Sequence, residues 1–430
     1  PELIRQMGRV IAIEASAQGG HIGYGPVLDL ARDPRWSRVE ETYGEDPYLN
    51  GVMGTALVRG FQGETLNDGK SVIATLKHFA SYGWTEGGHN GGTAHIGERE
   101  LEEAIFPSFR EAVGAGALSV MSSYNEIDGN PCTGSRYLLT DILKDRWQFK
   151  GFVVSDLYAV GGLREHGVAG NVYAEQLVAA VKRGDVAVAT IDKAVRRILS
   201  LKFQMGLFDD PFVDEKQAVQ LVASSEHTGL AREVARQSIV LLKNKDKLLP
   251  LKKDIRTLAV IGPNADNVYN MLGDYTAPQA DGTVVTVLDG IRQKVSKETR
   301  VLYAKGCAVR DSSRTGFKDA IETARNADAV VMVMGGSSAR DFSSEYEETG
   351  AAKVTINQIS DMESGEGYDR ATLHLMGRQL ELLEEISRLG KPVVLVLIKG
   401  RPLLMEGAIQ EAEAIVDAWY PGMQGGNAVA

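Results

Sequence analysis

The chain has 430 residues, 43% hydrophobic and 24% charged, with a formal net charge of −10. That length exceeds one ordinary core and predicts two or three domains with a globular composition. Scattered basic residues in an acidic chain argue against a nucleic-acid partner, and no apolar run approaches the ~20 residues that span a bilayer. Cys132 and Cys307 lie far apart. They form neither a metal-ligand spacing nor a disulfide framework, and they leave the redox compartment open. A start at Pro1 and a stop just after a Gly-rich turn read as a processed or truncated chain.

Apolar spacing at Leu3, Met7, Val10 and Ile11 predicts a helix over 2–17. Residues 21–29 read as a strand ending in Asp29, and a long, polar, doubly charged loop follows to Asp46. Loops of that length inside compact domains tend to be functional. A helix is expected over 49–61, then a strand over 71–76 that ends in Lys77 and His78. A helix over 98–114 precedes a strand over 118–122, which contains Met121 and ends near Tyr124 and Asn125. A helix over 138–147 leads into the run GFVVSD at 151–156. This dense apolar run reads as a buried parallel strand, with the Asp156 carboxylate placed at its C-terminal end. Asp156 could cap the next helix, Lys77 could be a solvated strand-end lysine, and His78 a satisfied core histidine. Four strand-like runs in succession, each ending in groups able to bind or react, instead point to the mouth of an α/β barrel.

His89 and His95 sit in a Gly-rich loop and read as surface residues. No HExxH or comparable set is present, so neither a metal mechanism nor a cofactor is expected. A helical stretch over 172–205 has a break expected near Gly184. An eight-stranded barrel needs roughly 200 residues or more. Strands are therefore expected to be missing, before Pro1 and near Gly170 and Asn171.

The division read from these patterns is a barrel domain over 1–205, a turn-rich linker over 206–230, and a second α/β domain over 231–430. Helical spacing resumes over 231–240. Apolar runs at 257–264, 329–335 and 392–398, the last preceded by a helix over 377–389, predict an open sheet covered by helices. Gly262 and Gly335 follow strands, but neither matches a dinucleotide fingerprint or a P-loop, so a nucleotide site is a weak alternative. Between the second and third runs lies a long acidic loop, Arg340 to Leu373. Gly365 and Gly367 would let its backbone turn tightly and aim Glu366 outward, where it could reach over the barrel mouth; the alternative is a solvated acidic loop.

Several blocks together resemble glycoside hydrolase family 3: PRWSRVEETYGEDP at 34–47, KHF at 77–79, GFVVSD at 151–156, GEGYDR at 365–370, GRP at 400–402 and WYPGMQGG at 419–426. They run through nearly the whole chain in order. The resemblance implies a TIM-like (β/α)8 barrel, incomplete here, followed by an α/β sandwich, with the active site between them. It implies a retaining β-glycosidase with Asp156 as nucleophile and Glu366 as general acid/base. Arg38, Lys77 and His78 would hold sugar hydroxyls, Tyr124 would orient Asp156, and Met121 and Asp29 would complete the substrate-binding set. A cation beside Asp156 would keep it ionised, and a dry site would favour the protonated form of Glu366.

Four departures stand out. Leu157 follows the nucleophile position where many members have Trp. A further sugar-binding Asp of the N-terminal barrel strands has no counterpart, and members usually continue beyond Gly426, often with a fibronectin-like domain. The loop at 80–91 lacks the Asp-His pair of the N-acetylglucosaminide branch, which disfavours that branch and its linked phosphorylase activity. The expected activity is a β-glucosidase, with a β-xylosidase and a sugar-binding homologue without turnover as alternatives. The expected partners are an oligosaccharide or glycoside and, at most, a second copy of the chain. The usual role of the family it resembles, plant-glycan breakdown, implies a periplasmic or secreted protein.

Overall fold

A computed structural model describes residues 1–157, 159–163, 175–340 and 361–430. The chain forms two compact units. One comprises Pro1–Asp33 and Glu41–His227, and the other Pro34–Glu40 with the described residues from Thr228 to Ala430. The short segment Pro34–Glu40 thus belongs to the second unit although it lies early in the chain.

In the first unit, β1 (Ile22–Gly23), β2 (Ile73–Phe79), β3 (Ser119–Ser122) and a strand Phe152–Ser155 form a four-stranded parallel sheet in chain order. A short antiparallel hairpin, β4 (Glu126–Ile127) with β5 (Asn130–Pro131), separates β3 from that last strand, here β6. The expected strand over 21–29 is only two residues long, although Val27 still bridges Lys77 in parallel. Among the described residues the sheet does not close into a barrel. The helix Pro47–Gln62 shows how sequence sets such elements. Asp46 caps it by accepting from the Leu49 amide at 2.7 Å, a proline opens it, and Gly63 with φ +55° ends it. Leu57, Val58 and Phe61 of this helix join Leu76, Phe79, Phe106 and Phe109 in one buried cluster. Gly184, with φ +83°, separates Glu175–Arg183 from Val188–Gln204, where the break was expected. The gap expected near Gly170 and Asn171 lies outside the described residues. Within 206–230, expected as a linker, fall Glu215–Leu221 and the start of Ser225–Ser238.

The second unit is built on a six-stranded sheet of order β7-β12-β11-β10-β8-β9. These are β7 (Val240–Asn244), β8 (Thr257–Ile261), β9 (Arg300–Ala304), β10 (Ala329–Gly335), β11 (Val393–Ile398) and β12 (Ala414–Asp417). All pairings are parallel except β12 with β7. Both faces are buried, which is why β10 and β11 read as unbroken apolar runs. Met332, Met334, Leu395 and Leu397 pack on one side, while Val331, Val333, Val394 and Val396 pack on the other. Gly262 and Gly335 serve close approach between strands. A Cβ there would lie 2.1 Å from the Val333 carbonyl oxygen and 2.0 Å from that of Ile398. Among the described residues no helix is long and apolar enough to cross a membrane.

Candidate active site

In the first unit the polar strand ends converge on His78. The Asp29 carboxylate, 3% exposed, accepts from the His78 backbone amide at 3.1 Å and faces its Nδ1 at 2.7 Å. The other ring nitrogen, Nε2, lies 3.5 Å from Asp156 Oδ2. Two carboxylates this close attract positive charge onto the ring, and a positive ring beside Asp156 favours its ionised form. Asp156 is itself buried, and its Oδ1 accepts from the Leu157 amide at 2.8 Å. Adjacent β2, β3 and β6 bring these groups together, because their parallel register pairs Phe79 with Ser122 and Ser122 with Ser155.

Lys77 is half-buried, with Nζ 3.7 Å from Glu41 in the long polar loop. The Tyr82 ring meets His78 edge-on at 4.8 Å and lies 6.0 Å from the ring of the half-buried Tyr124. Met121 is buried in β3 opposite Val154. Leu157, the departure at the position after Asp156, is 53% exposed. His89 and His95 are exposed, and His95 lies near Glu86 and Asp128. Among the described residues no cluster of His, Cys, Asp and Glu could hold a metal ion.

The second unit holds Glu366 in a tightly wound segment. Gly365 and Gly367 have φ of +88° and +91°, as the flanking glycines implied. The side chain does not project outward, however. Glu366 is 2% exposed, and its Oε1 accepts from Arg38 Nη1 at 3.0 Å, with Arg38 equally buried. A guanidinium this close favours the carboxylate, while burial favours the acid. The expected acidic loop falls partly at 341–360, outside the described residues.

Arg38 meets Glu366 because the segments carrying them are clamped together. Arg401, fully buried, donates to the carbonyls of Pro34 at 3.2 Å and Arg35 at 2.8 Å on one side. On the other it donates to those of Glu363 at 3.0 Å and Tyr368 at 2.8 Å. Burial lowers its pKa while Glu363 pushes it back up. Around it, the Gly365 amide donates to the Ser37 carbonyl, the Arg370 amide to that of Arg35, and the Ser37 amide to the Asp369 carboxylate. Glu363 pairs with Arg370 at 2.6 Å. Glu40 accepts from the Asp274 amide at 3.1 Å and from Ser364 Oγ at 3.1 Å, and Ser364 also meets the Tyr420 hydroxyl at 2.8 Å. Burial, reinforced by Glu40 and Glu363, holds the Tyr420 hydroxyl in its neutral form with a raised pKa.

The sequence signals named Asp156, His78, Asp29, Arg38 and Glu366, and the structure links the first three as one chain and the last two as one pair. Sequence reasoning missed the carboxylate Asp274, the brace Arg340 and the clamp role of Arg401. Arg401 had a signal in the block at 400–402; Asp274 and Arg340 had none.

Residues 1–175 match the family model described as Glycosyl hydrolase family 3 N terminal domain, and residues 239–430 match the Glycosyl hydrolase family 3 C-terminal domain. The chain is 35% identical to the periplasmic β-glucosidase of Salmonella typhimurium, a match covering 100% of this chain and 59% of that protein. It is 40% identical to a β-xylosidase of Formosa agariphila, covering 100% of this chain and 61% of that one. Among solved structures, the β-glucosidase of Listeria innocua in complex with isofagomine matches with a TM-score of 0.89 at 31% identity, over 100% of this chain and 59% of that chain. The chain therefore spans about three fifths of the length of these relatives. The fold is accordingly that of the family's β-glucosidases, a TIM-like barrel, represented by four strands among the described residues, followed by an α/β sandwich.

Proposed function

We propose that this chain, which belongs to glycoside hydrolase family 3, carries the catalytic carboxylates of a retaining exo-β-glycosidase that releases terminal β-linked glucose from oligosaccharides. The observation that carries the reading is the buried chain Asp29–His78–Asp156 at the C-terminal ends of parallel strands. Structural burial alone does not call for two carboxylates on one imidazole. A nucleophile that must stay ionised does.

In the first step an Asp156 oxygen attacks the anomeric carbon, the glycosidic C–O bond breaks, and Glu366 gives its proton to the departing oxygen. In the second, Glu366 takes a proton from water, the water oxygen bonds to the anomeric carbon, and the ester bond to Asp156 breaks. Retention requires the two carboxylates about 5–5.5 Å apart across the sugar. Because Arg38 favours the ionised Glu366, the acid step calls for Arg38 to exchange that contact for a sugar hydroxyl, which gives Arg38 both a binding and a gating part. Lys77 holds a further hydroxyl, Asp29 fixes the His78 ring against Asp156 so that a hydroxyl can reach it only by taking over the longer Nε2 contact, and Tyr124 and Met121 line the sugar site. The periplasmic relative supports a periplasmic or secreted location.

A β-xylosidase is the second reading, favoured by the 40% identity to a relative of that name. Glucose and xylose differ by one CH₂OH, a difference of only ~1–3 kcal/mol in a pocket. Hydrolysis of aryl β-glucoside, β-xyloside and N-acetyl-β-glucosaminide by the full-length protein separates the readings, beside its Asp156→Asn variant and with the anomer of the released sugar followed by NMR. Glucoside cleavage with β-anomer release, lost in the variant, is the expected result. Dominant xyloside cleavage would change the sugar and keep the mechanism. Inversion, or full activity in Asp156→Asn, would overturn the assignment, and binding without turnover would make the protein a sugar-binding homologue.

A further inference from the structure

We propose that Asp274, braced by Arg340, is a positioning residue that sets the aim of Glu366. This rests on the reading of Glu366 as general acid/base. Asp274 follows a tight turn at Gly273, and its side chain is only 2% exposed. Its Oδ2 accepts from the backbone amide of Glu366 itself at 3.0 Å. Its Oδ1 receives Arg340 Nε at 2.5 Å, while Arg340 Nη2 lies 3.3 Å from Oδ2, a two-pronged fork that fixes the carboxylate plane. The guanidinium in turn stacks over the Tyr275 ring at 4.4 Å, and the Tyr275 amide donates to Asp274 Oδ1 at 2.7 Å. The Asp274 amide ties to Glu40, which also holds Ser364, so the turn preceding Glu366 is gripped from two directions.

Gly365 is the residue that makes this grip possible. A Cβ there would stand 2.9 Å from Asp274 Oδ2, so only glycine lets the carboxylate reach the next amide. A buried charged pair is an expensive way to hold two peptide groups, since a neutral acceptor would satisfy backbone amides without a buried charge. What the charged pair adds is stiffness at the base of a side chain whose oxygen must meet a departing oxygen within a few tenths of an ångström. Misplacement of about 1 Å at such a group can cost 10²-fold in rate.

Leaving-group dependence separates positioning from general stability. Protonation matters greatly for a phenyl glycoside and hardly at all for a 2,4-dinitrophenyl glycoside, whose leaving group departs unaided. On the full chain, with whichever sugar it cleaves, Glu366→Gln is expected to lose about 10²–10⁴-fold on the phenyl substrate and little in the glycosylation of the activated one. Asp274→Asn is expected to follow the same pattern at about one-tenth to one-hundredth of wild-type kcat/KM on the phenyl substrate, with the activated substrate within threefold. Arg340→Lys, which keeps a cation but removes the fork, is expected to show a smaller shift in the same direction. It carries the test should Asp274→Asn not fold. Equal losses on both substrates in the folded variants would overturn the positioning role. A Glu366→Gln variant without leaving-group dependence would overturn the acid/base assignment itself, whatever the other variants do.

Discussion

Replacing Arg401 with Lys should loosen the second unit at a defined place. The guanidinium donates to four carbonyls over 2.8 to 3.2 Å, the half-buried ones of Pro34 and Arg35 on one side and the buried ones of Glu363 and Tyr368 on the other. An ammonium has three donors radiating from one point and cannot span both pairs. At least one carbonyl loses its donor, and two do so if the ammonium settles on one side. Each such group costs about 1–3 kcal/mol, so Arg401→Lys should destabilise by about 1–6 kcal/mol. Against a domain stability of roughly 5–15 kcal/mol, that is a large shift. Trp36 lies inside the clamped segment and is fully buried, so with Trp84, Trp147 and Trp419 replaced by Phe in both proteins its fluorescence reports on the clamp. Urea denaturation should show a lower midpoint, and acrylamide should quench Trp36 in the variant under conditions where the parent resists. Because the clamped segments carry Arg38 and Glu366, kcat/KM should fall together with protection of Trp36. An unchanged midpoint with unchanged quenching would show that these four hydrogen bonds are not what holds Pro34–Glu40.

Gly365→Ala meets both a backbone angle of φ +88° and a contact of 2.9 Å with Asp274 Oδ2. Roughly 1–2 kcal/mol of stability should be lost to the left-handed conformation, read as a lower Tm, with a larger proportional loss of activity. Lys399, 2.6 Å from the buried Asp417, has its pKa lowered by burial against the pull of that carboxylate. Lys399→Met should cost about 3–5 kcal/mol in urea melts by stranding Asp417, and adding Asp417→Leu should recover most of it. Burial pushes the thiols of Cys132 and Cys307 each up to about 12, so neither should react with a thiol reagent in the folded protein at pH 8, and both should on unfolding. Their ordinary value is 9.0. Above it the unfolded chain loses these protons before the folded one does. Their contribution to stability is therefore complete below pH 9 and falls as pH rises toward 12, which melts across that range would detect.

What could be read from residues alone follows from how many faces an element buries. β10 and β11 announce themselves because both faces are covered, and the unbroken apolar runs at Ala329–Gly335 and Val393–Ile398 have no other use. The flanking strands gave no such signal. β9 at Arg300–Ala304 is an edge strand with an exposed start, β12 has four residues, and the largely exposed β7 at Val240–Asn244 begins where the helix expected over 231–240 ends. Asp29, His78 and Asp156 were legible because each ends a strand-like run. That His78 joins the two carboxylates was not, since pairing depends on the register between strands. The turn at Gly365 and Gly367 was legible for the same reason glycine is used there, but the direction of Glu366 was not. Its partner Arg38 lies 328 positions away, and no local pattern encodes that meeting. Asp274 and Arg340 were invisible because a lone Asp after a turn and a lone Arg after a strand are ordinary surface residues until folding buries them together.

The early segment Pro34–Glu40 makes the second unit discontinuous in the chain. During synthesis this segment leaves the ribosome long before its partners, and its tie from Arg401 to Pro34 must wait for 367 further positions. The second unit therefore cannot be excised as a C-terminal fragment. A polypeptide beginning at Thr228 would contain the whole six-stranded sheet yet lack the strip against which Glu363–Arg370 is wound. Supplying residues 34–40 as a separate peptide, or grafting them onto the fragment's end, is then the natural way to ask whether that strip is ballast or scaffold.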